Sequence, residues 1–214
     1  MYADLVMIVA AMCGTKIEEV VVEKGSDLEK NLLKRTVQGT YPMLEIDANT
    51  IIFDSVAIAS YIARSTGNDS LIGADDFEQS QYDQWMQFLR EETTPIVKTL
   101  QWYSFGHVPC TLAEYNLVYN EFKENIKTLN NHLKTKKFMV GSTLTICDIY
   151  LCLTQVEMQQ CLMDTNMKNS LQFINTIFKH VTTEVDPWIK RMGAVKPGKK
   201  LSLIHISEPT RLRR

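Results

Sequence analysis

Tyr41, Pro42, Asp54 and Ser55 are the residues whose types and spacing could hold a small peptide-like ligand. Pro42 stands in Tyr41-Pro42-Met43-Leu44-Glu45, at the entry to a strand-like run. A proline donates nothing to a ladder, so it belongs at a strand start or edge. A tight turn there is also where a cis bond is found. Further on, Phe53-Asp54-Ser55-Val56-Ala57-Ile58 passes from a strand pattern to a helical one. Asp54 and Ser55 suit the cap of that helix. The same helix start offers unpaired amides and the positive end of a dipole, which suits a carboxylate. Taken singly, each segment also has a structural reading, an edge proline and a plain N-cap.

The run Val140 to Ile149 contains Thr145-x-x-Asp148, a capping-box spacing with Asp in place of Glu. Leu144 before the cap and Ile149 after it form a hydrophobic-staple pair. Both features predict a buried helix start and a structural role. His107, His132 and His180 lack metal-ligand spacing, so no metal is expected. Lys134, Lys136 and Lys137 read as a solvated basic loop. Trp102 to Phe105 reads as core or as the lining of a pocket. No residue is assigned a catalytic role.

Hydrophobic residues make up 45% and charged residues 22% of the 214, and the formal net charge is -2. That balance suits a globular protein and argues against nucleic acid or an anionic membrane as a partner. The five cysteines are odd in number and form no C-x-x-C pair, which predicts reduced, packed thiols in the cytoplasm. The apolar run Leu5 to Cys13 follows Asp4, has no Lys or Arg upstream, and is too short to span a bilayer. It reads as a buried helix, with Cys13 on its apolar side.

The elements that must position these residues follow from periodicity. Leu5, Ile8, Val9 and Met12 predict a helix closed by Gly14. Glu19 to Glu23 predicts a strand, Asp27 to Lys34 a helix closed by Gly39. Met43 to Asp47 and Thr50 to Phe53 predict two strands joined by a tight turn, and Asp54 to Arg64 a helix. A polar linker spans 65–76. Beyond it the stripes are helical: Tyr82, Trp85, Leu89; then Val118, Phe122, Ile126, Leu129, Leu133; then Ile146, Ile149, Leu153, Val156; then Leu171, Ile174, Phe178, Val181. Asp186-Pro187 predicts one more helix start. The stretch Leu201 to Arg211 resembles the conceptual translation of a sequencing-library adapter, so residues 201–214 are expected to be a non-native tail outside the fold.

Y-P-x-L-E, F-D-S-x-A-I and V-G-x-x-L-T-x-x-D-I, in this order, together resemble the glutathione transferase family from about Tyr2 to about Lys190. The resemblance implies an α/β domain of thioredoxin-like type followed by an all-α domain. Residues 1–64 are then the thioredoxin-like domain, with its first strand expected to be missing. Residues 77–200 are the helical domain. It implies a cis bond before Pro42, with its neighbour on the glutathione backbone, and Asp54 and Ser55 on the γ-glutamyl end. The family activates the glutathione sulfur with a hydroxyl or thiol near the first helix. Tyr2 is the nearest hydroxyl here, and neither it nor Cys13 is assigned that role.

Leu133 to Gly141, and the Gly193-Ala194-Val195 ending before a Lys-rich stretch, resemble the gamma-type elongation factor 1 branch of the family. That branch implies a docking domain that binds the nucleotide-exchange subunit of the elongation factor complex, and is compatible with a homodimer. It implies no cofactor, with glutathione as the candidate ligand. The alternatives are an active glutathione transferase and a docking domain of an aminoacyl-tRNA synthetase, because one scaffold hosts all three.

Overall fold

The computed structural model describes residues 2–47, 49–163, 165–171, 173–176, 179–183 and 201–206. The chain divides into two compact units that part between Leu71 and Ile72. The first also takes in Leu201–Ile206, and the second runs to Thr183.

The first unit opens with α1, Tyr2–Met12. Gly14 ends it at φ 66, with the Thr15 N–H reaching back to the Ala10 carbonyl at 2.9 Å. This left-handed cap is where glycine is cheapest. Cys13 is corrected by the same geometry: it lies in the cap after Met12, half-buried, and not within the helix. Strand β1 is Ile17–Val22, starting earlier than the Val-rich core predicts because its ladder already pairs Ile17. Helix α2, Asp27–Arg35, is capped by Ser26, whose hydroxyl accepts the Glu29 N–H at 3.1 Å. It stops at Arg35, ahead of Gly39, because Thr36 already has extended backbone.

Strands β2, Met43–Asp47, and β3, Thr50–Phe53, pair antiparallel. Their turn is held by Asp47 Oδ1, which accepts the N–H groups of Asn49 and Thr50 at 2.8 and 2.9 Å. Helix α3, Ser55–Ser65, follows at once. Met43 packs with Val22 and Leu32, the latter from α2. Its neighbour Leu44 is equally buried. Successive strand residues point to opposite faces, so β2 is covered on both. α1 packs against α3, and Leu5, Val6 and Val9 of the one and Ile58, Ala59 and Ile62 of the other are all buried.

The sheet order is β1-β4-β2-β3, where β4 is Leu201–Ile206. β4 runs antiparallel to β1 and parallel to β2. The expectation that residues 201–214 stand outside the fold is therefore corrected for Leu201–Ile206. No strand precedes α1 in the described residues, and β1 and β2 do not pair with each other. That arrangement leaves two rows of backbone donors and acceptors facing a gap, and a short apolar segment of strand-forming residues satisfies both rows.

The second unit is helical. A 3₁₀ turn, Asp69–Leu71, ends the first unit, and α4, Asp76–Gln87, opens the second. The helix widens into a π turn over Phe88–Thr93 and continues as α5, Thr94–Ser104. Pro95 is the cause on physical grounds: it has no N–H, and its ring crowds the carbonyl four residues back. The Thr94 N–H bonds to the Leu89 carbonyl instead, and the Thr94 hydroxyl joins it at 2.8 Å. Helix α6, Leu112–His132, starts from a reciprocal box between Thr111 and Glu114. Helix α7, Ile146–Cys161, is buried on every side from Ile146 to Cys152, which makes it the central helix of this unit. α8 is Thr165–Ser170, and residues 173–176 and 179–183 are also helical.

The predicted stripes largely form the core of this unit, with Tyr82, Leu89, Phe122, Ile126, Leu129, Leu171, Ile174 and Val181 all buried. Val156 does not follow its stripe and is 37% exposed. The face of α7 that continues inward there carries Thr154, Gln155 and Met158. Trp102 and Phe105 are exposed, so the reading of that segment as core is corrected. Phe178 and Asp186-Pro187 lie outside the described residues.

Candidate ligand site at the start of α3

The last rung between β2 and β3 pairs Met43 with Phe53. Pro42 and Asp54 are the next residues on each strand, so the antiparallel register carries them off the same end of the sheet together. The Tyr41–Pro42 bond is cis. The Tyr41 ring packs against the Val22, Leu32 and Met43 cluster, and its hydroxyl is buried with no hydrogen-bond partner among the described residues. Burial, helped by the negative charge of Glu29, pushes the Tyr41 phenol pKa up.

Asp54 is the N-cap of α3 and the one described non-glycine residue with positive φ, at 74. Asp tolerates that region better than most side chains because its short polar group bonds locally. Here Oδ1 accepts the N–H groups of Val56 and Ala57 at 3.0 and 3.1 Å. Two of the helix's leading amides are thus already matched to a carboxylate of the chain itself. Ser55 follows, 4% exposed, at the first helical position. Tyr41, Pro42, Asp54 and Ser55 are brought to one locus by the register of a single hairpin. The positive φ was not read from the sequence, although Asp at a strand-to-helix corner is the signal that could have shown it.

Thr145 and Asp148 lie in the other unit and serve α7. Asp148 is fully buried and accepts three hydrogen bonds: the Met139 N–H at 2.7 Å, and the Thr145 N–H and hydroxyl at 2.8 Å each. Burial raises its carboxyl to about 6, against the lowering effect of those donors. The staple pair Leu144 and Ile149 is buried as expected. His132 has a structural role as well. Its Nε2 stands 2.9 Å from the Met139 carbonyl, and its ring lies tilted by 40° against Trp85 with centroids 3.9 Å apart. Since a carbonyl only accepts, Nε2 carries the proton. Burial holds the His132 pKa below its usual value.

Sulfur chemistry finds little support at Cys13. Burial raises its pKa, whereas a reactive thiol needs it lowered. Tyr2 is the first residue of α1. Among the described residues no group of His, Cys, Asp and Glu could hold a metal ion, and no helix is long and apolar enough to cross a membrane.

A thioredoxin-like hairpin with a cis proline, joined to a helix that starts on Asp-Ser and followed by a helical unit, defines a glutathione transferase fold. Residues 1–64 match the family of the glutathione S-transferase N-terminal domain. A delta-class glutathione transferase of Nilaparvata lugens superposes with TM-score 0.76 at 18% identity, covering 88% of this chain and 87% of that one. A glutathione transferase of Phanerochaete chrysosporium in complex with oxidized glutathione gives 0.76 at 19%, covering 89% of each. At these identities the likeness is one of fold.

In sequence the chain is similar to elongation factor 1-gamma. It is 31% identical over 151 residues to a probable elongation factor 1-gamma of Arabidopsis thaliana, covering 69% of this chain and 36% of that protein. It is 27% identical over 172 residues to elongation factor 1-gamma of Artemia salina, covering 79% and 39%. The chain thus spans little more than a third of the length of these curated relatives.

Proposed function

We propose that this chain is a glutathione-transferase-like docking domain of the elongation factor 1 complex, acting in the cytoplasm and binding the nucleotide-exchange subunit. The observation that carries this reading is the similarity to elongation factor 1-gamma, 31% over 151 residues, extending beyond the region of the N-terminal family match. The fold alone would serve an enzyme equally well. Helices anchored by buried caps, such as Thr145 and Asp148 at α7, suit a domain that holds partners together. Stable interfaces of this kind bury roughly 1,200–2,000 Å². Co-purification of the chain with the exchange subunit of the same organism tests the reading. A complex surviving gel filtration is the expected result, and two folded proteins that elute separately would overturn it.

A second reading rests on the corner at Pro42, Asp54 and Ser55: it retains a place for glutathione. The γ-glutamyl carboxylate would meet the start of α3 at Ser55, since Asp54 already holds the Val56 and Ala57 amides. Calorimetric titration with glutathione tests this, and weaker binding by Ser55→Ala than by the parent chain is expected. Binding unchanged by that substitution places the ligand elsewhere.

A further inference from the structure

A cavity of about 320 Å³ opens on the second unit, lined by Gln84, Trp85, Phe88, Glu91, Glu92 and Thr128. Its volume is that of a site for one side chain or a small ligand. Besides the neutral Gln84, Gln87 and Thr128, two kinds of group line it. Trp85 and Phe88 supply aromatic surface, their rings set edge to face at 5.7 Å, and Trp85 is fixed from another side by His132. Glu91 and Glu92 are exposed carboxylates on the π turn. Lys127, the basic neighbour of Thr128 in sequence, is engaged by Glu124 at 3.3 Å. Burial lowers the His132 pKa, disfavouring its charged form beside the cavity.

We propose that this cavity receives an arginine side chain from a docked peptide or partner, the guanidinium stacking on the Trp85 and Phe88 rings and bonding to Glu91 and Glu92. Chemical complementarity selects this occupant. A guanidinium is planar, weakly hydrated and always charged, so it stacks on aromatic faces while its N–H fork meets carboxylates. An anion would be repelled by two carboxylates, and a purely apolar group would leave them unmatched. The inference rests on the docking reading for its biological partner, while the cavity's preference for a cation stands on its own geometry.

The test is titration of the full chain, labelled with ¹⁵N, with the peptide acetyl-Gly-Arg-Gly-amide. Its neutral counterpart, with citrulline in place of arginine, is the control. The expected result is saturable shifts of the Trp85 indole N–H and the Phe88 and Glu91 amides with the arginine peptide only. Glu91→Gln combined with Glu92→Gln should weaken that binding by about tenfold or more. Both positions are exposed, so the variant keeps its fold, and an unchanged melting curve verifies this. The proposal is overturned by absence of a saturable Trp85 shift, by equal binding of the citrulline peptide, or by unchanged affinity in the double variant. Co-purification with the exchange subunit is read separately. If it succeeds while the peptide does not bind, only the cavity proposal fails; if it fails while the peptide binds, only the docking reading does.

Discussion

The Asp148 carboxylate accepts the backbone N–H of Met139 at 2.7 Å, across nine residues of sequence. The Met139 carbonyl is bonded in turn to His132. A single residue between α6 and α7 is therefore held at both of its backbone polar groups, by one side chain from each helix.

Asp148→Ala leaves the Met139 and Thr145 amides buried without a partner. Each buried donor so orphaned costs roughly 1–3 kcal/mol. A loss of about 3 kcal/mol or more in unfolding free energy is expected, read from urea denaturation at neutral pH. Coincident midpoints for variant and parent would show that the box stabilises nothing.

The same carboxyl makes stability depend on pH in a defined direction. Its pKa is about 6 in the fold against 3.8 in the reference state, so across that window the folded chain keeps a proton the unfolded chain has released. Unfolding free energy should therefore fall as pH rises from about 4 to about 6, by up to roughly 3 kcal/mol from this group. Asp148→Asn carries no titrating group there. Its stability, though lower, should lack this component of the slope, and parallel curves for parent and variant would refute the assignment.

Asp54 combines a cap with left-handed backbone, and the two contributions separate by substitution. Asp54→Ala loses the cap and keeps the unfavourable φ, for an expected cost of about 2 kcal/mol or more. Asp54→Gly loses the carboxylate but removes the backbone cost, so it should be clearly less damaging than alanine. Thermal unfolding of the two variants side by side decides the matter, and an alanine variant as stable as the glycine one would contradict the geometry.

Gly73 has φ 112, and a Cβ added there would stand 2.5 Å from the Gln79 backbone nitrogen. Backbone in the first turn of α4 cannot swing aside as a flexible side chain would. Gly73→Ala should destabilise the second unit by about 2 kcal/mol or more. Gly14→Ala, where an added Cβ meets nothing within 4 Å, should cost only what its positive φ imposes. Equal losses at the two positions would show that crowding at Gly73 is relieved.

Local signals were legible in the sequence. The bounds of β2 and β3 match those read from strand pattern and turn residues, because a tight hairpin with an Asx turn is specified within a dozen residues or so. The Thr145–Asp148 box and the Gly14 cap were legible for the same reason: each is one turn of backbone and one or two side chains. Tertiary structure decided the rest. Asp148 looked like any cap until burial and the reach to Met139 made it an ionisable group in the core. The π turn that presents Glu91 and Glu92 depends on how the helix absorbs Pro95, and periodicity alone does not foresee it. Leu201–Ile206 carries a strand-forming composition, yet its place between β1 and β2 depends on backbone groups distant in sequence that require partners. Periodicity and capping are written over one to four turns of chain; which buried group meets which is settled only when segments far apart are packed together.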